Sequence, residues 1–279
     1  IVIFFKLKKT NTRRKNINIC LQFLLGVYIF FNIQWGLNYH RVPLQEKLTI
    51  TKNYSLNQLK KTTLYFINKT NKIHEKISEN DSISVKFDND LILESLLSIK
   101  NSSYNKNQKL NRTIKKSLFS LPLSYMGFSG YINPFTIEAH FNTNIAKLNI
   151  PTTICHEIAH QLGYSAENEA NYISIEATLN SKNEYVNYSG STFALKHLLN
   201  EMYLNDKKAF DELIKKVNVG VLKNYKEASD EWKKYKNPLE KYFKKSYDIY
   251  LKANNQTKGI KTYNLVVDLL VNKYPNQES

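Results

Sequence analysis

The sequence predicts an α+β, mainly helical chain with an N-terminal transmembrane helix and a small sheet. Three observations carry this: an uncharged run over residues 16–39, helical spacing of apolar residues over most of the chain beyond residue 191, and a strand-like texture over 124–142.

The uncharged run comes first in the chain. It holds 24 residues, and about 20 apolar residues span a hydrocarbon core. Asn18, Gln22, Asn32 and Gln34 dilute it, so a buried core helix is the competing reading. Trp35 and Tyr39 favour the span, because amphipathic rings settle at the bilayer interface. Lys6, Lys8, Lys9, Arg13, Arg14 and Lys15 precede the run with no acid among them. The positive-inside rule places that loop in the cytoplasm and everything after the helix outside. A cleavable signal needs small residues at its cleavage site, and Gln34-Trp35-Gly36-Leu37-Asn38 has no such pattern. Ile1, Val2, Phe4 and Phe5 read as the end of an earlier apolar segment, so the chain is expected to be a fragment. The expected parts are an apolar end and basic loop at 1–15, a transmembrane helix at 16–39, and an extracytoplasmic domain at 44–279.

The net charge of +16 includes those six basic residues, and the remainder is spread thinly through a Lys- and Asn-rich chain. No aromatic-interleaved basic motif stands out, so nucleic acid is not an expected partner. The lipid bilayer is, with anionic lipid or cell-wall polymer as the natural attraction for such a surface. Cys20 and Cys155 fall on opposite sides of the expected membrane, so no disulfide is expected, and Cys155 reads as a small apolar packing residue.

Beyond the exit turn at Arg41-Val42-Pro43-Leu44, helical spacing predicts helices over 55–77 and 106–119. Residues 124–142, broken by Gly127, Gly130 and Pro134, read as the sheet region. Further helices are expected over 192–203, 207–217, 239–253 and 262–274, giving a small sheet joined to a helical bundle.

Between sheet and bundle lies His156-Glu157-Ile158-Ala159-His160. Histidines four apart on a helix share a face and reach one ion, and the glutamate between them reaches a water on that ion. Chance produces this pentapeptide in roughly one shuffled chain of this composition in a hundred. Ile154, Ile158 and Leu162 form an apolar stripe on the other side of the same helix, so the histidines need not face the core. Gly163 is placed to end this helix in a left-handed cap, and Ser165 to cap a new one from Ala166. That corner carries the start of the second helix back toward the histidines, where a third metal ligand is required. Glu167, Glu169 and Glu176 compete for the role; Glu167 also suits the helix dipole, and Glu169 is the first choice.

These residues resemble a known family. His156-Glu157-Ile158-Ala159-His160-Gln161-Leu162-Gly163-Tyr164 with Glu167-Asn168-Glu169-Ala170-Asn171 resembles bacterial membrane proteins catalogued as domain of unknown function 3810, themselves similar to gluzincin-type zinc peptidases. Trp35-Gly36-Leu37-Asn38-Tyr39, Gly130 to Thr136 with Glu138-Ala139, and Tyr188-Ser189-Gly190 are further matching pieces. The resemblance implies a zincin-like metallopeptidase domain in a bacterial cytoplasmic membrane. It also implies that Glu169, opening the Glu-Ala-Asn triplet, is the third zinc ligand.

The expected activity is that of a membrane-anchored zinc-dependent metallopeptidase: Zn2+ on His156, His160 and Glu169, Glu157 as general base, and Tyr188 or His197 as oxyanion donor. Asn171 is a candidate for orienting a ligand, and residues 135–141 for an edge strand that pairs with an extended peptide. Proteins, short peptides and cell-wall peptides all offer a suitable amide. The competing function is an anchored binding or sensor module with a structural or degenerate zinc site.

Overall fold

A computed structural model describes residues 13–50, 54–87, 91–105, 113–257, 259 and 265–274. Helix α1 (Arg13–Gln34) takes up the uncharged run only as far as Gln34, five residues short of the expected end at Tyr39, because the chain turns at Gly36–His40; none of its apolar window at Lys15–Gln34 is buried against the rest of the protein. A core helix of this chain would be covered, so the described residues favour the span. Among the described residues, one helix, near the N-terminus, is long and apolar enough to span a membrane.

The chain leaves α1 through a tight turn, Gly36–His40, and a short helix α2 (Leu44–Lys47) introduced by Pro43. Trp35, at the turn, is 3% exposed rather than facing outward as a free interface ring. Helix α3 (Leu56–Ser78) opens with a capping box in which the Ser55 and Gln58 side chains each satisfy the other's backbone N–H. Its buried stripe includes Leu59, Phe66 and Ile67. Helix α4 (Ile92–Lys100) comes next.

The expected helix over 106–119 is corrected in part. Residues 106–112 lie outside the described residues, and Ile114–Lys116 form strand β1. Among the described residues three strands make the sheet, in the order β1, β3 (Ala139–Phe141), β2 (Gly130–Ile132). β1 runs parallel and β2 antiparallel to β3. The segment expected as an edge strand therefore supplies the central one. Ala139 and Phe141 point into the core while His140 stacks on Tyr131 across the β2 pair. A short helix α5 (Ser120–Met126) also interrupts the predicted sheet region.

Helix α6 (Ile150–Gln161) lies across the sheet, and α7 (Glu167–Leu179) and α8 (Glu184–Asn205) pack behind it, with α3 against α8. Ile154, Ile158, Tyr172, Ile173 and Leu195 are fully buried where these helices meet. Around them stand α9 (Lys207–Ile214), α10 (Val219–Lys233), α11 (Glu240–Ala253) and α12 (Val266–Lys273). Helices α4 and α10 were not expected from the sequence. The cysteines are unpaired, and the Cys155 thiol is buried against the Ser95 carbonyl at 3.4 Å.

Candidate metal centre

The site begins with α6, whose start is set by Pro151 in its first turn, where a missing N–H costs nothing. One turn apart, the His156 and His160 rings stand 4.6 Å from each other, edge to face. The helix stops as expected: Gly163 adopts φ +88°, its N–H donates to the His160 carbonyl at 2.8 Å, and the Tyr164 N–H reaches the Ala159 carbonyl.

The start of α7 departs from the expected corner by one residue. Ala166, not Ser165, occupies the cap position and α7 begins at Glu167. The Ser165 hydroxyl instead donates to the Asn38 carbonyl, tying this turn to the segment that emerges from α1. Glu167 therefore points straight at the histidines, with Oε2 lying 3.2 Å from His156 Nε2 and 3.5 Å from His160 Nε2.

Glu169 does not join them. Two residues along a helix turn a side chain by about 200°, and its Oε1 accepts the Leu44 N–H at 2.5 Å. Arg41 and Lys47 add their charge nearby, although burial on balance raises the Glu169 pKa. Glu176 is engaged elsewhere, accepting from the Tyr274 hydroxyl at 2.8 Å and pairing with Lys273. The structure thus brings Glu167 to the histidines as the third donor and gives Glu169 a structural anchor role.

His156 Nε2, His160 Nε2 and a Glu167 carboxylate oxygen all lie within 4.8 Å of one another. His160 Nδ1 is 2.7 Å from the Tyr164 carbonyl, which only accepts, so that nitrogen carries the proton and Nε2 is free to face an ion. Two buried carboxylate oxygens, Glu157 Oε2 and Glu167 Oε2, satisfy hydrogen-bond geometry with none of the described residues. Glu167 Oε2, which faces only the two imidazole nitrogens, makes with them a donor set that fits a single divalent metal, and Glu157 Oε2 lies buried and unpaired among the described residues.

The same groups interact strongly through their charges. Burial opposes a charge on His160, but the adjacent Glu167 carboxylate outweighs it and holds His160 up to about 9. Glu167 is held well below the ordinary carboxylate range by the two imidazoles, again against its burial. Glu157 goes the other way: burial pushes it up to about 7, reinforced by Glu167 and opposed by the histidines.

Gly130 of β2 lies against Glu157. A Cβ there would stand 2.5 Å from Glu157 Oε1 and 2.8 Å from its Cδ, so only glycine lets the strand backbone pass so close. The outer strand beside the motif glutamate is β2, and the pairing edge moves there from residues 135–141.

The remaining expected site residues fall elsewhere. Tyr188 is fully buried, with its hydroxyl donating to Asn224 at 2.9 Å and its ring against Phe87 and His74. His197 packs edge-on against Phe193, where burial and Lys196 lower its pKa to about 4. Neither is brought to the histidine pair. Asn171 is buried, and its amide nitrogen has no hydrogen-bond partner among the described residues.

Tyrosines that sequence reasoning missed take their place. The Tyr247 hydroxyl, from α11, donates to Glu167 Oε1 at 2.6 Å. The Tyr39 and Tyr250 hydroxyls meet at 3.0 Å, the Trp35 indole N–H donates to Tyr39, and the Trp35 ring lies 6.0 Å from that of His160. Burial raises the pKa of both Tyr39 and Tyr250, and Glu167 raises them further. Eighty residues separate Tyr247 from Glu167, and nothing in the local sequence marks it among 19 tyrosines. Removing its hydroxyl leaves Glu167 Oε1 without its donor. Tyr247→Phe is expected to weaken metal affinity by about 10- to 100-fold in a competitive chelator titration.

No curated protein and no solved structure matches the chain. The model of the family described as "Protein of unknown function (DUF3810)" matches residues 1–271. With nearly the whole chain covered, including the apolar helix, the histidine pair and Glu167, this protein belongs to that family.

Proposed function

We propose that this protein is a membrane-anchored zinc metallopeptidase, with its metal-dependent domain on the outer face of a bacterial cytoplasmic membrane. One observation carries the reading: two histidines and Glu167 converge on one point, while Glu157, next in sequence to His156, lies buried with an unsatisfied carboxylate oxygen. His156, His160 and Glu167 would hold the ion. Zinc, when bound, supplies a Lewis acid that acidifies water and polarises a carbonyl.

The protein's own groups do the rest. Glu157, with its carboxyl group raised toward neutrality by burial, takes a proton from the attacking water and returns it to the leaving amine. Tyr247 holds Glu167 in place by the hydrogen bond to Oε1. The Tyr39 and Tyr250 hydroxyls, kept protonated by their burial, are the available donors for a developing oxyanion in place of Tyr188 and His197. An extended peptide would pair with β2, where the Gly130 backbone runs past Glu157. The six basic residues between Lys6 and Lys15, ahead of the uncharged run, support the orientation, since they favour the cytoplasmic side.

An anchored binding module with a structural zinc is the second reading, and Glu157 weighs against it. A structural site is closed by four protein ligands, whereas three donors cluster among the described residues here. The test is metal content and peptide-library cleavage by the full chain in detergent. One zinc per chain is expected, with cleavage abolished by a chelator and restored by zinc. Stoichiometric zinc with no cleavage across varied pH and peptide composition would favour the binding module.

A further inference from the structure

Helix α11 is almost entirely uncovered. Among its side chains only Leu251 is buried; Tyr242 and Ile249, 58% and 59% exposed, project roughly opposite Leu251, and Phe243 extends the aromatic side. On the other flank the helix carries Lys241, Lys245 and Lys252, and with Lys244 it has four lysines against two acids, Glu240 and Asp248. Glu240 pairs with Lys244 and Asp248 with Lys252, which leaves the excess charge on Lys241 and Lys245. A soluble helix exposes single apolar residues but does not call for Ile249 and Tyr242 together on one face flanked by lysines. A helix lying flat on a bilayer does, because its rings enter the headgroup boundary while its lysines meet lipid phosphates.

The position of the helix matches that surface. The Tyr250 hydroxyl meets the Tyr39 hydroxyl at 3.0 Å, and Tyr39 lies five residues beyond the end of the apolar helix α1. The sheet side is drawn to the same level: Phe135 stacks on Phe30 of α1 at 6.1 Å, and Phe31 meets Phe135 edge-on. The headgroup layer is about 5–8 Å deep on each side of the hydrocarbon core. Groups in direct contact with the emerging end of α1 are therefore at its level.

We propose that α11 is a second membrane attachment, whose exposed aromatic and basic face rests on anionic lipid while its inner face, through Tyr247, holds Glu167 of the metal centre. The proposal rests on the anchoring part of the functional reading and is independent of the peptidase part. It gives the site a place: the metal centre opens at the bilayer surface, and its substrate is presented there.

The test uses the full chain, with Cys20→Ser to remove the exposed thiol, in nanodiscs containing a nitroxide-labelled lipid. A fluorophore is attached in separate samples at Ile249→Cys, at Tyr28→Cys within α1, and at Leu204→Cys, an exposed position at the end of α8. With about 30% phosphatidylglycerol in phosphatidylcholine, labels at 28 and 249 are expected to be quenched and the label at 204 not. Quenching at 249 is expected to fall by about fivefold or more when Lys241→Glu and Lys245→Glu are introduced, or when the anionic lipid is omitted. Quenching at 28 with none at 249 above that at 204 overturns the proposal and leaves the anchor standing. Loss of quenching at 28 overturns both. Quenching at 249 that ignores charge and lipid composition overturns anionic lipid as the partner.

Discussion

Glu167→Ala is expected to lower zinc affinity by about a hundredfold or more, while Glu169→Ala leaves zinc content unchanged. Apparent binding energies of roughly 10–16 kcal/mol are shared among the ligands of a protein zinc site, so removing one of three costs on the order of 3–5 kcal/mol, about a hundredfold or more. The two variants fail differently. Glu167 Oε2 faces both histidine Nε2 atoms, at 3.2 and 3.5 Å, and its loss removes an ion ligand. Glu169 Oε1 accepts the Leu44 N–H, and its loss strands a buried backbone donor at a cost of about 1–3 kcal/mol in stability. Zinc titration against a chromogenic chelator, paired with thermal unfolding of each variant, separates the outcomes. Loss of zinc from Glu169→Ala with full retention by Glu167→Ala would reverse the assignment of the third ligand.

The second large effect is expected from Glu157→Gln, which removes the base and keeps the shape of the side chain. Zinc content should stay at the wild-type level and the turnover number should fall by about 10²- to 10⁴-fold, the usual contribution of a positioned proton-transfer group. The buried setting of Glu157 makes the substitution mild for folding, because a neutral amide is easier to bury than a carboxylate. Wild-type turnover in this variant would exclude Glu157 as the proton acceptor.

The separation of Glu167 from Glu169 shows where reading the residues reached its limit. Both acids were legible as belonging to the first turn of a helix that returns toward the histidines, and Gly163 marked the corner with its left-handed φ. Which acid faces the histidines depends on the helix starting at residue 167 rather than 166, and one residue rotates every side chain by about 100°. Ser165 would have set the earlier start had it capped the helix. It is drawn away by the Asn38 carbonyl, which belongs to a segment 127 residues earlier. Local chemistry carries no trace of that partner.

Long-range pairing also explains the other departures. Residues 114–116 have the composition of a basic helix and form a strand because β3 offers them backbone partners. Tyr188 and His197 sat near the expected site in sequence and are directed instead toward Asn224 and Phe193. Trp35, read as an interface ring, is buried against His160, because the turn after α1 folds back onto the metal helix.

The apolar helix, the histidine pair with its intervening glutamate, the glycine that ends their helix and the mixed, mainly helical class all arise from patterns confined to short windows. Periodicity, hydropathy and backbone freedom act over a few residues, so the order of residues is enough to establish them. The identity of the third donor, the tyrosine that holds it, the glycine that admits a strand beside Glu157 and the seating of the centre against the end of α1 join positions up to about two hundred residues apart. Those depend on helix rotation and strand pairing within one packed core, where buried polar groups must find partners wherever the chain brings them.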